Sequence, residues 1–163
     1  MTRNVARLAA TTPEPRWLSD EELAAWMSMA RVMTLLPPAL ERQLRGACLS
    51  WMDYHVLASL SEQDRHRMRM STLAESANSS LSRLSHVMRR LEDQGFVRRE
   101  PDPGDPRYTL AILTPDGHDK LAAAAPAHVE AVRRMVLDPL DPGELESLRS
   151  VFDRIYVALG RCR

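Results

Sequence analysis

Glycine and cysteine are both scarce in this chain, six and two residues respectively out of 163, and each shortage excludes something. With eleven prolines against so few glycines, the connections are rigid punctuation, and no long flexible linker is expected. No glycine-rich loop is available to cradle a phosphate. The five histidines, His55, His66, His86, His118 and His128, fall at no metal-ligand spacing, and no nucleophile lies beside an evident base. An enzyme is therefore not expected, nor a cofactor or a metal. Cys48 and Cys162 are far apart and match no metal motif, so they read as ordinary thiols of a reducing compartment, with redox sensing by either left open. The N-terminus has no apolar signal region and no apolar run of bilayer length stands out, so a cytoplasmic, membrane-free protein is expected.

Net charge is also lacking, but the zero is a cancellation. Between Arg65 and Arg99 lie eight arginines and only three acids, Glu75, Glu92 and Asp93, so the remainder of the chain is acidic by five charges. A basic segment inside an acidic chain marks an anion-binding surface.

Read in order, residues 1–18 lack periodicity and form a mobile arm, with Trp17 and Leu18 expected to dock it. Ser19 and Glu22 make a capping box for a helix whose apolar face is Leu23, Trp26, Met27, Ala30 and Met33. Pro37-Pro38 predicts a kink or restart, after which Leu40 and Leu44 continue to Gly46. Ser50 caps a shorter helix carrying Trp51, Tyr54, Leu57 and Ala58.

The informative stretch runs from Met70 to Thr114. Arg67–Met70 is expected as a single strand pairing with a later hairpin. Ser71 is expected to cap a helix over Thr72–Ala77. Ser79 and Ser80 end a turn and cap a second helix, Leu81–Gln94, stopped by Gly95, with Leu84, Val87, Met88 and Leu91 on its buried side. A strand from Phe96 and a return strand over Tyr108–Leu113 flank a proline-rich wing tip over 101–107. This is the order of a winged helix-turn-helix, which places one helix in the DNA major groove and a hairpin beside it. Thr114 with Pro115 starts a helix running towards Val136, bent or broken at Pro126. Asp141 and Pro142 start the last helix. Its Leu145, Leu148, Phe152, Ile155 and Leu159 alternate by three and four, a seam of only about two heptads that suits self-association, with plain intramolecular packing as the competing reading.

On the second helix of the motif, Ser82, Arg83, Ser85, His86, Arg89 and Arg90 lie opposite the buried side, and the first ten residues contain no acid. Short hydroxyls allow close approach to a base edge, and Arg83 offers a fork to guanine. The helix start at Ser80 suits a phosphate. Arg90 has a second reading, as a structural partner of Glu92 or of an acid elsewhere. Arg98 and Arg99 point to opposite sides of their strand, so at most one faces DNA. Arg99 is taken as that one, and Arg69 joins the set. Arg107, just after the wing tip, suits a narrow minor groove, with Asp105 as its support; a plain loop salt bridge is the competing reading.

Leu73-Ala74-Glu75, the serine-rich turn, Ser82-Arg83-Leu84-Ser85, Arg90-Leu91-Glu92, Gly95-Phe96-Val97 and Asp105-x-Arg107 up to Leu113-Thr114 together resemble the multiple-antibiotic-resistance regulator (MarR) family. The resemblance covers residues 19–160. It implies a mainly α protein with a small β wing, divided into an arm (1–18), dimerisation helices (19–49 and 115–163) and a DNA-binding lobe (50–114). It implies a homodimeric transcription regulator, usually a repressor of a nearby or its own operon, set on a pseudo-palindromic operator in double-stranded DNA. Family members often take a small aromatic or phenolic effector, for which Trp26, Met29, Met33, Trp51, Tyr54 and His55 would line the crevice. His86 stands where an arginine is frequent, Arg89 where an acid is frequent, and Pro106 where basic or neutral residues are commoner. The resemblance therefore carries the groove assignment but no operator sequence. The competing function is a protein-interaction module on a degenerate winged helix with no DNA role, and the basic face argues against it.

Overall fold

The computed structural model describes residues 15–160. The order is α1 (Asp20–Arg45), α2 (Trp51–Ser61), β1 (Arg67–Arg69), α3 (Met70–Ser76), α4 (Leu81–Asp93), β2 (Val97–Asp102), β3 (Asp105–Leu113), α5 (Pro115–Val132) and α6 (Glu144–Ala158). Most of the expected arm and Cys162 lie outside the described residues. Trp17 and Leu18 were expected to dock that arm, but they are 80% and 54% exposed. The apolar side chains nearest in sequence, Leu23 and Trp26, are themselves about half exposed and offer no buried pocket.

The capping box forms as read: the Ser19 amide donates to Glu22 Oε2 at 2.8 Å and the Glu22 amide to Ser19 Oγ at 3.2 Å. Of the kink or restart expected at Pro37-Pro38, the restart does not occur, because α1 runs through both prolines. Each proline removes one bond to the carbonyl four residues back, those of Met33 and Thr34. Both residues are exposed, so water can take the freed carbonyls. By length and composition alone, α1 is also long and apolar enough to cross a membrane.

Two compact units divide inside α1, after Leu35. In the first, Trp26, Met27 and Met33 leave the helix's apolar face uncovered. The second holds the core, where Leu44, Val56, Leu57, Leu60, Leu73, Leu84, Met88 and Leu91 are fully buried.

Within the second unit, local signals set most boundaries. Ser50 and Asp53 form a reciprocal capping box at α2. At α3 the cap differs from expectation: the helix starts at Met70 behind Arg69, without a side-chain cap. Met70 is buried, so packing rather than a serine hydroxyl sets this start. The turn after α3 is made by Asn78 at φ +50, with the Ser79 amide bonded to the Ala74 carbonyl and the Asn78 amide to Glu75. Gly95, at φ +77, closes α4 the same way, Phe96 bonding back to Leu91 and Gly95 to Glu92. Ser80 caps α4 as read, accepting from the Arg83 amide at 3.2 Å.

The sheet has the order β1-β3-β2, both pairs antiparallel, with Arg67 opposite Ile112 and Val97 opposite Leu113. The single strand before the motif therefore pairs with the hairpin as expected. The wing tip is smaller than the proline count suggested: Asp102 pairs with Asp105, leaving a two-residue turn at Pro103 and Gly104. Pro101 and Pro106 lie on the strands. β1 stops at the Arg69–Leu110 pair, so β3 has a free edge at Pro106 where no partner amide is needed.

Thr114 caps α5, with Pro115 first, and Pro126 sits inside the helix without ending it. A wider turn, Arg133–Leu137, follows. Gly117 is buried where a Cβ would lie 2.0 Å from the Phe96 carbonyl oxygen, so only glycine lets α5 start this close to the hairpin. The last helix begins later than Asp141-Pro142 suggested. Gly143, at φ +95, cannot belong to it, and Glu144 Oε2 accepts from the Asp141 amide at 2.6 Å.

Candidate nucleic-acid interface

The inner face of α4 is as expected: Leu84, Met88 and Leu91 are wholly buried and Val87 nearly so. This fixes the opposite face, where Ser82, Arg83, His86 and Arg89 are exposed and Ser85 is half-buried. Ser85 Oγ donates to the Leu81 carbonyl at 2.8 Å, which leaves its lone pairs outward. Among the described residues, Arg83 and Arg89 have no ion pair and are free to reach an anionic partner.

Arg90 is different. Its Nη2 bonds Asp53 Oδ1 and also Ser50 Oγ at 3.2 Å, while Asp53 Oδ2 accepts from the Ser50 amide and hydroxyl. Asp53 is only 4% exposed, so this carboxylate is a buried anchor that ties α4 to the start of α2. Of the two sequence readings of Arg90, the geometry provides the structural partner, 37 residues away rather than at Glu92. Glu92 instead takes Arg99, whose Nε lies 2.9 Å from its carboxylate, joining β2 to the end of α4. That bond raises the Arg99 guanidinium above its ordinary value.

In the wing, Arg107 donates to both oxygens of Asp105, with Nε at 2.9 Å from Oδ1 and Nη2 at 2.6 Å from Oδ2. The Arg107 side chain stays 84% exposed. The Arg107 guanidinium holds the Asp105 carboxyl below its usual range. Arg98 pairs with Glu100. Arg69 reaches Asp102 at 2.7 Å and lies over the Tyr108 ring. Sequence reasoning missed Asp53, Asp102 and Tyr108. Asp53 carried a signal, since it stands three residues after Ser50 in a capping box; the other two did not.

The six residues expected around an effector are divided. Trp26, Met29 and Met33 belong to the first unit, and Trp51, Tyr54 and His55 to the second. His55 Nε2 lies 3.2 Å from the Ser76 carbonyl. Tyr54 packs on buried His128, ring centroids 4.3 Å apart, and His128 Nδ1 is 2.9 Å from Gln43 Oε1. Burial pushes the Tyr54 hydroxyl up and the His128 imidazole down. Within the second unit an open cleft of about 810 Å3 lies between α1, α2 and α4. Its walls include Leu36, Pro37, Pro38, Trp51, Met52 and Val87, with Arg83 and Arg90 on one side. Only Trp51 of the six expected residues lines it. On α6 and at Leu159 just after it, Leu145, Phe152 and Leu159 are exposed and Leu148 and Ile155 half-buried, and exposed Val151 and Tyr156 widen the apolar seam into a band.

This geometry has close counterparts. AbsC, a MarR family transcriptional regulator from Streptomyces coelicolor, superposes with a TM-score of 0.86 at 41% identity, covering 89% of this chain and 98% of that one. The chain belongs to the MarR family. A family model described as MarR family matches residues 49–109. A second Streptomyces coelicolor MarR family regulator, solved in complex with DNA, is 44% identical, with a TM-score of 0.86 over 90% of this chain and 92% of that one. The transcriptional regulator HosA of Escherichia coli is 37% identical over 73 residues, or 45% of this chain. The chain thus spans about half of that curated relative, 53% of its length. As in other MarR family chains, α3 and α4 are the helix pair, and β2 and β3 form the wing.

Proposed function

We propose that this chain is a homodimeric, sequence-specific DNA-binding transcription regulator of the cytoplasm that represses a nearby or its own operon and is released by a small-molecule effector. The observation that carries the reading is the outer face of α4 over its first ten residues, which hold no acid: Arg83 and Arg89, without an ion pair among the described residues, and exposed His86 stand on a buried base. Such a face suits a major groove, with arginine forks for guanine and short hydroxyls for close approach. The 44% identical relative crystallised with DNA supports it. The exposed apolar side chains along α1 and α6 support a second copy as partner, since contiguous exposed apolar patches mark association surfaces. In this arrangement residues 19–49 and 115–163 build the dimer and 50–114 form the DNA-binding lobe.

The cleft beside α4 is the place we assign to the effector. Its walls are apolar, its one acid, Glu41, is occupied by the Trp51 amide at 2.7 Å, and Arg83 is available. A small aromatic anion fits that chemistry and would compete with DNA for Arg83. The test is binding of the purified chain to duplexes covering the DNA upstream of its own gene and the neighbouring intergenic regions, across a range of salt. With about six phosphate contacts, affinity should fall roughly a thousandfold from low to moderately high salt. Absence of any specific complex on these duplexes would falsify the reading. An effector that weakens the complex should lose its effect when Trp51 is replaced by alanine.

A further inference from the structure

β1 is only three residues long, yet it connects two functional parts. Its last residue, Arg69, is also the residue from which α3 starts. β1 and β2 do not touch, because β3 lies between them. The Arg69 side chain nevertheless crosses the middle strand. Its guanidinium carbon sits 4.3 Å from the centre of the Tyr108 ring on β3, and Nε and Nη2 both lie 2.7 Å from Asp102 Oδ2 on β2. The other oxygen, Asp102 Oδ1, accepts from the Gly104 amide at 2.9 Å inside the wing turn. The crossing occurs where the sheet narrows, since beyond the Arg69–Leu110 pair the wing continues as a two-stranded ribbon over a register shift at Pro101/Asp102. An isolated two-stranded ribbon is marginally stable and twists freely.

We propose that Arg69 is a wing-positioning residue: with Tyr108 and Asp102 it straps the wing to the start of α3, setting the distance between the wing tip and α4 that adjacent grooves require. This rests on the DNA-binding reading. It assigns Arg69 a task different from the phosphate or base contact its charge suggests, and it makes an acid, Asp102, necessary for binding a polyanion.

That last consequence allows a decisive test. Asp102→Asn keeps an oxygen for the Gly104 amide and removes a negative charge from the wing. If charge alone mattered, DNA would bind as well or better. If the strap matters, specific affinity should drop about 5- to 20-fold, an effect within the range of a lost positioning contact. Hydroxyl-radical footprints should lose protection in the flanking minor groove while the α4 contacts persist. Arg69→Gln should do the same, and the double variant should be no weaker than either single one. In the free full-length protein, hydrogen exchange of the hairpin over 101–109 should quicken in both variants, with the melting temperature unchanged, because an exposed pair adds little to global stability. Unchanged or tighter binding by Asp102→Asn, with Arg69→Gln weaker and its salt slope reduced by about one, would make Arg69 a phosphate contact and overturn the proposal. Hairpin exchange unaffected by Asp102→Asn would overturn the strap itself. A loss of all protections together with a lower melting temperature would also overturn it, leaving a merely structural pair. A wild-type chain that forms no specific complex would instead overturn the DNA-binding reading and the groove-fitting part with it, while the exchange measurement still judges the strap.

Discussion

The recognition helix and the wing carry the same residue type in opposite ways. On the outer face of α4, Arg83 and Arg89 stand without ion pairs among the described residues, on a buried base. In the sheet, Arg69, Arg98, Arg99 and Arg107 are each held by an acid. The difference follows from what lies beneath. α4 is anchored by Leu84, Met88 and Leu91, so Arg83 and Arg89 on its outer face need no further support. The outer wing has no core of its own, with exposed Tyr108 and Thr109 and a two-residue turn of Pro103 and Gly104 at its tip, so its geometry depends on charge pairs. A side chain on a packed helix can search for a base edge; one on a ribbon has to be aimed beforehand.

Gly117→Ala should have the largest effect, because it breaks the seat common to both regions. The new Cβ would lie 2.0 Å from the Phe96 carbonyl oxygen, at the junction of α4 and β2, and backbone cannot yield as a side chain would. We expect a loss of about 3 kcal/mol, measured by urea unfolding. A variant with wild-type stability would show that α5 can shift away from the hairpin at little cost.

Arg90→Ala comes next and tests the one α4 arginine that behaves like a wing arginine. It leaves Asp53 buried with only its Ser50 partners, at a cost of about 1–3 kcal/mol in stability. Thermal melts of the alanine and lysine variants should both fall, whereas Arg83→Ala should melt like wild type. If Arg83 and Arg90 behave alike in the melts, the division between free and anchored arginines is wrong.

The third prediction compares the two regions on DNA. Arg83→Ala should reduce specific affinity by about 10- to 100-fold and relax preference at one base pair, as loss of a bidentate contact does. Arg107→Ala should weaken binding several-fold across sequences, with a shallower salt dependence and no change in stability. Competition binding with single-base operator variants separates the two, and a stronger sequence effect from Arg107 would reverse the comparison.

The smallest effect concerns neither region but the helices behind them. Burial lowers the His128 imidazole below its ordinary 6.5, so the folded state binds this proton less readily than the unfolded chain. Its contribution is fully present above that value and is lost as pH falls from it towards the lowered folded value. Stability should decline modestly as pH falls below about 6.5, and His128→Gln should remove that part of the decline. A pH profile unchanged by the substitution would mean that Gln43 and the neighbouring rings accept the charged form.

Much of this was legible from local chemistry. Ser19, Ser50, Ser80, Thr114 and Gly95 act within a few residues of themselves, and each does as read. The errors arose where a local rule met packing. Pro37-Pro38 predicted a kink or a restart, and the restart does not occur: the helix continues because the carbonyls freed there belong to exposed residues. Asp141 predicted a cap, but the left-handed Gly143 moved the helix start forward. In the site, exposure of Ser82, Arg83, His86 and Arg89 followed from helical period alone. The partners of Arg69 and Arg90 did not, since they lie 33 and 37 residues away.

By itself, then, the sequence determined the order of elements, the basic face of α4 and the apolar faces of α1 and α6. These depend on periodicity and caps, which are short-range. Only the tertiary structure decided which arginines are free and which are fixed, because an ion pair depends on where two distant backbones meet. Asp53 and Asp102 look like ordinary acids in the chain, and the fold turns one into the anchor of the recognition helix and the other into the strap of the wing.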